Sequence, residues 1–240
     1  MKTLSSDRLF FQEIDDLYQK YLPSKHPFFQ RLATYPHEKL SSPTLLGQLY
    51  LRYQAACHAT RVMVYLLPYL DSPALRIRKL SIISDDDSLE NGDAHHYQMS
   101  RAFVNMGATL VIEDEEFGCL EKLKTILDPT TANFVSSVQN LYPLSLGPWC
   151  TIEIFAEDWM RALMNSLSNC FPDVKKEPYF ADCFAQGVEE RHAQEALELT
   201  GVVLSHSPHL LNPTLEGAKQ MAVELDKFWS GLDNLLKDFV

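Results

Sequence analysis

Apolar residues recur three and four apart through most of this 240-residue chain, the spacing that turns one stripe of a helix toward a core. Ser42-Pro43 opens LLGQLYLRYQAACHATRVMVYLLPYL, Ser72-Pro73 opens ALRIRKLSIISDDDSLE, and Asn212-Pro213 opens TLEGAKQMAVELDKFWSGLDNLLKDF. Each pair reads as an N-cap followed by a first-turn proline. The same spacing predicts helices near residues 7–22, 93–107, 114–127, 130–142, 147–170 and 178–204. TLVIE at 109–113 comes nearest to a strand, but it is short, isolated and followed by an acidic helix start. No repeat, low-complexity tract or Gly/Ser linker divides the chain. The expectation is therefore one all-α domain over residues 1–240, with short connections that make neighbouring helices antiparallel in a bundle.

Polar residues inside the apolar seams carry the candidate chemistry. A helix advances about 100° per residue, so the seam of the 178–204 segment runs Ala181, Ala185, Val188, His192, Ala196, Leu199, Val203. His192 lies in it, Glu189 and Glu195 flank it on opposite sides, and Glu190 and Glu198 point away. In DAHHYQMSRAFVNMG the seam His95, Met99, Ala102, Met106 turns His95 inward and leaves His96 on the flank. In LGPWCTIEIFAEDWMRALMNSL the seam Trp149, Ile152, Ala156, Met160, Leu163 brings Glu153 inward, with Glu157 lateral and Asp158 outward. SDDDSLE adds Asp85, Asp86, Asp87 and Glu90, and the broad apolar pattern LSII leaves open whether Asp86 or Asp87 faces in.

An inward histidine without a partner costs on the order of 1–3 kcal/mol, and the common remedy is a hydrogen bond, so Glu189-x-x-His192 alone reads as structural. Matching groups on facing helices change that reading. A set drawn from Asp86 or Asp87, His95, Glu153, Glu189 and His192 is the carboxylate and imidazole mix that suits iron or manganese.

Charge and composition then exclude several classes. The net charge is −11, with 32 acidic against 21 basic residues and no basic run, which argues against nucleic acid as a partner. No window stays uncharged long enough to span a bilayer, and the N-terminal MKTLSSDRLFFQEIDD lacks the apolar core of a signal peptide, so a cytoplasmic protein is expected. Five scattered cysteines form no Cys-x-x-Cys pair and read as reduced and structural, with Cys183 sharing the predicted helix of His192. Hydrophobic residues at 46% are enough for a sizeable core.

With these residues placed, the chain resembles the heme-oxygenase-like iron oxidases, and within them the CADD-like branch related to the PqqC-like and TenA-like proteins. YLRYQAACHATRVMVYLLPYL, the carboxylates followed by histidine and RAFVNMG, LGPWCTIEIFAE, and YFADCFAQGVEERHAQEAL carry the similarity, which covers most of the chain. The resemblance implies a bundle of about seven core helices, a homodimer, and one or two iron ions, with manganese as a substitute. It places ligands on Asp86 or Asp87, His95, Glu153, Glu189 and His192. Ala185 stands where the family has the first histidine of its late run, leaving two ions about five protein ligands unless Glu90, Glu157 or Glu195 is recruited.

The function it implies is that of an oxidoreductase activating dioxygen against a small organic substrate, or against a tyrosine of the chain itself as in CADD-like p-aminobenzoate formation. Tyr50, Tyr53, Tyr142 and Tyr179 are core tyrosines among ten, and spacing does not choose between them. His26 and His58 are placed by no motif as heme ligands. Two alternatives stand beside this reading: a metal-free PqqC-like or TenA-like catalyst binding an aromatic or heterocyclic ligand, and a non-catalytic partner-binding protein. Convergence or scatter of Glu153, His95, Glu189 and His192 bears on that choice.

Overall fold

In chain order the helices are α1 (Ser6–Lys20), α2 (Pro27–Ala33), α3 (His37–Leu40), α4 (Pro43–Tyr65), α5 (Pro73–Asp87), α6 (His95–Asn105), α7 (Leu120–Ile126), α8 (Pro129–Leu141), α9 (Leu146–Ser168), α10 (Pro178–Phe184), α11 (Val188–His206) and α12 (Leu211–Asp238). They come from a computed structural model that describes residues 6–65, 73–87, 94–118, 120–144, 146–184 and 187–239. Among the described residues there is no strand, so the chain is all-α. No helix among them is long and apolar enough to cross a membrane.

Local chemistry sets several boundaries. Asp128 caps α8, its carboxylate accepting from the amides of Thr130 and Thr131 at 3.0 and 3.3 Å, with Pro129 in the first turn where no donor is needed. His26 caps α2 by accepting from the Phe28 amide at 3.1 Å, which gives that histidine a structural role. α6 stops at Gly107, whose φ of 100° lets the Ala108 amide reach back to the Phe103 carbonyl at 2.9 Å while the Gly107 amide meets Val104 at 2.8 Å. That is the paired closure a left-handed residue permits.

α9 runs through the middle of the molecule. Residues around the whole circumference of its first two turns are buried, Trp149 and Cys150 among them, and Phe155, Trp159, Met160 and Leu167 continue a buried face, while Arg161 and Asn165 are exposed. α11 and α12 pack most extensively against it, α12 also meets α8, α2 and α1, and α4 lies against α8, α6 and α9. The buried apolar residues form one contiguous core. On α12, Trp229 gathers Phe29, Phe228, Phe28, Trp159 and Tyr53, with ring centroids 4.9 to 6.4 Å from its own. At the start of α9 the two central helices nearly touch: a Cβ on Gly147 would stand 1.9 Å from the Thr214 carbonyl oxygen.

The helical periods and the structure differ in instructive places. The 178–204 segment is two helices, because Gly187 takes a left-handed φ of 68° and resets the phase. Ala181 is consequently exposed while Tyr179, Phe180 and Cys183 are buried, and Cys183 lies on a different helix from His192. Of the 114–127 segment only Leu120–Ile126 is α-helical, with a 3-10 turn at Asp114–Gly118 before it. α12 begins at Leu211 out of a 3-10 turn, so Asn212-Pro213 falls within its first turn and does not cap it. Asp158 does not simply face out, since its carboxylate accepts from the Ser24 amide at 2.6 Å. The short helices α2 and α3 have too few turns to show a period.

Replacing Gly147 by alanine should force α9 and α12 apart and cost about 1–3 kcal/mol, as overpacking of a tight core does. Urea unfolding measures this; a stability equal to that of the parent would contradict the close approach at Thr214.

Candidate functional site

Four helices deliver the candidate groups to one place. Asp86 comes from the last turn of α5, His95 opens α6, Glu153 sits in the second turn of α9, and Glu189 and His192 lie one turn apart at the start of α11. All five line a cavity of about 70 Å³ in the core of the bundle. That exceeds the roughly 10–15 Å³ needed for one water. Arg61 and Cys57 of α4, and Tyr179 of α10, complete its polar wall; Ile152, Ala156, Met160 and Trp159 make the apolar side.

Each group is held by a neighbour. Glu153 accepts a hydrogen bond from the indole N–H of Trp149, one turn before it, at 2.7 Å. His95 Nδ1 lies 3.5 Å from Asp86 and 3.9 Å from the Cys183 sulfur. His192 Nε2 lies 3.1 Å from Asp85, whose same oxygen accepts from Arg191 at 2.6 Å. A carboxylate so placed accepts a hydrogen bond from Nε2–H and leaves the lone pair on Nδ1. With the side chains turned to these partners, no three His, Cys, Asp or Glu groups among the described residues close into a metal-ligating array. The arrangement is one of donors around a cavity.

Burial sets the electrostatics. Desolvation, reinforced by the charges of Asp86 and Glu189, pushes Glu153 up to about 8 against the opposing pull of His192 and Trp149. Glu189 is pushed up to about 8 in the same way, by desolvation first and then by Asp86. For Asp86 burial also works against the charge, but the hydrogen bond from His95, Arg61 and His192 hold it below its ordinary value. Without a further cation the site therefore keeps one carboxylate ionised and two protonated at neutral pH. Burial also pushes the Cys57 thiol up to about 11 and raises Cys183 well above its usual value. Both therefore stay thiols at neutral pH.

Asp87, the alternative to Asp86, is absent from the cavity wall. Glu157 is turned to Arg161 at 2.6 Å, and Glu195 is only partly exposed, with one carboxylate oxygen buried and unpartnered. Glu90 and Ala185 lie outside the described residues. His58 and His26 take no part in the cavity. Asp85, Arg61 and Cys57 were not singled out by spacing. Asp85 is one of three consecutive carboxylates that only the packing of α5 on α11 distinguishes, and Arg61 and Cys57 are covered only because α4 meets α9 there. Of the core tyrosines, Tyr179 lines the cavity and its hydroxyl is 3.2 Å from that of Tyr53; Tyr50 instead bonds Asp114 and Tyr142 the Ala59 carbonyl.

No protein-family model and no curated protein matches this sequence.

The two raised carboxyls make a pH prediction. An acid whose folded pKa lies above its unfolded value of 4.5 binds its proton more tightly when folded. Its contribution to stability is full below that unfolded value, falls as pH rises toward about 8, and is flat beyond. In chelator, Glu153→Gln and Glu189→Gln should gain on the parent in urea midpoint between about pH 5.5 and 8. A gap independent of pH would show that neither carboxyl is desolvated as described.

Proposed function

We propose that the chain is a metal-dependent oxidoreductase of the heme-oxygenase-like, CADD-like kind, in which Asp86, His95, Glu153, Glu189 and His192 hold iron, or manganese in its place. Its reaction is the activation of dioxygen against a small organic substrate or a tyrosine of the chain itself. The observation that carries this reading is the convergence of five oxygen and nitrogen donors on one cavity whose glutamates are short of positive charge. The donor chemistry fits a first-row divalent ion, since carboxylate and neutral imidazole are its preferred partners and the excess of buried carboxyls is what such an ion relieves.

Bound iron would bind and reduce dioxygen, with the substrate furnishing the electrons one ion cannot, and the protein's part is to position and to shield. Asp85 orients the His192 ring, and Trp149 steers one oxygen of Glu153, leaving the other free. Ile152, Ala156 and Met160 keep bulk water from that side, strengthening every electrostatic contact within. Tyr179, held protonated by burial, is the tyrosine beside the reacting space, and Tyr53 accepts or donates a hydrogen bond behind it.

A second reading draws on one specific fact: both glutamates are stable in the neutral form, Glu153 with its indole partner. A neutral polar pocket beside Trp159 and Tyr179 is also what a metal-free catalyst of a heterocyclic ligand uses.

Metal analysis separates the two. Protein from iron-supplemented cells should carry iron or manganese, or take up ferrous ion when reconstituted anaerobically. His192→Ala should lower that affinity by at least about tenfold and reduce dioxygen consumption with it. Parent protein that gains no metal under either regime would overturn the oxidoreductase proposal and leave the metal-free catalyst.

A further inference from the structure

The same cavity contains a cation of its own. Arg61, in the last third of α4, lines it together with Asp86, Glu153 and Glu189. Among the described residues no hydrogen bond ties its guanidinium to a carboxylate. Asp86 is engaged by His95, Glu153 by Trp149. Burial works against the charge of Arg61, but Asp86 first, then Cys57 and Asp87, more than offset it, so the guanidinium is held ionised.

We infer that Arg61 supplies a permanent positive charge where a second metal ion would otherwise be required, so that the cavity accepts one divalent ion per chain. The inference rests on the metal reading proposed above. Three carboxylates and one guanidinium face the space, a formal excess of two negative charges. One divalent ion neutralises that excess. Two would leave the same magnitude of positive charge buried and uncompensated.

Ligand number points the same way. Asp86, His95, Glu153, Glu189 and His192 are five donor side chains, and a first-row ion takes roughly four to six ligands. They are enough to complete one shell, whereas two ions would have to share bridging carboxylates and fill the remaining positions with water.

The position of Arg61 also gives it a measurable effect on the metal. A fixed charge within one small cavity repels a divalent ion with twice the strength it exerts on a monovalent one, and in a partly desolvated site this changes affinity by about tenfold or more.

Manganese(II) titration of the full chain, with free ion followed by electron paramagnetic resonance and bound metal counted by plasma emission, tests the inference. The parent should saturate at one ion per chain. Arg61→Met should bind manganese at least about tenfold more tightly or take up a second ion. Arg61→Lys, which keeps the charge, should behave as the parent.

Two ions per chain in the parent would overturn the role of Arg61 while leaving the metal reading intact. No bound ion in the parent would overturn the metal reading itself. Should Arg61→Met fail to fold, Arg61→Gln replaces it. A neutral variant with unchanged stoichiometry and affinity, or with weaker binding, would likewise sink the inference.

Discussion

Three carboxyl groups drawn into one buried cavity cannot all be charged at once without added positive charge, and the arrangement around them follows from that constraint. Asp86 keeps its charge because His95, Arg61 and His192 surround it, while Glu153 and Glu189 are pushed up to about 8 for want of an equivalent neighbour. Two protons or one divalent ion would each satisfy the imbalance. A protein built only for stability would place apolar residues there, since buried ionisable groups seldom contribute net stability. Their presence on four helices that meet at one cavity is the physical argument for chemistry at this place.

What allows the carboxyls to meet is the depth of α9. Its first two turns are buried all round, so Glu153 in the second turn cannot reach bulk water. The approach of Gly147 to Thr214 seats α12 against that same end, and the contact of Trp159 with Trp229 continues the same α9–α12 seam further along. α11 lies along the free side and presents Glu189 and His192 one turn apart. α5 and α6 then need to bring only one residue each from their facing ends, Asp86 from the last turn of α5 and His95 from the first position of α6.

The second layer explains why neighbouring carboxylates differ. Asp85, Asp86 and Asp87 are consecutive on α5, yet Asp85 bridges Arg191 and His192, Asp86 faces the cavity beside His95, and Asp87 is not on the wall. A rotation of about 100° per residue separates three roles in one run of identical side chains. The proposed positions of the metal and of Arg61 share this dependence, since a guanidinium in an ordinary amphipathic helix would reach out to water.

Much of this could be read in the order of residues. Periodicity alone determined the all-α class, the inward turn of His95, Glu153 and His192, and the burial of the seam from Trp149 to Leu163, because each depends on neighbours within one helix. It failed where two helices share what looks like one period: Gly187 breaks the 178–204 segment, and Ala181 goes to the surface. Only the tertiary structure decided between Asp86 and Asp87, brought Arg61 and Cys57 from α4 into the site, and set Asp85 behind His192. Those outcomes depend on which helix covers which face, and a side chain's distance from water, which sets its charge, is a property of the assembled bundle and not of its own helix.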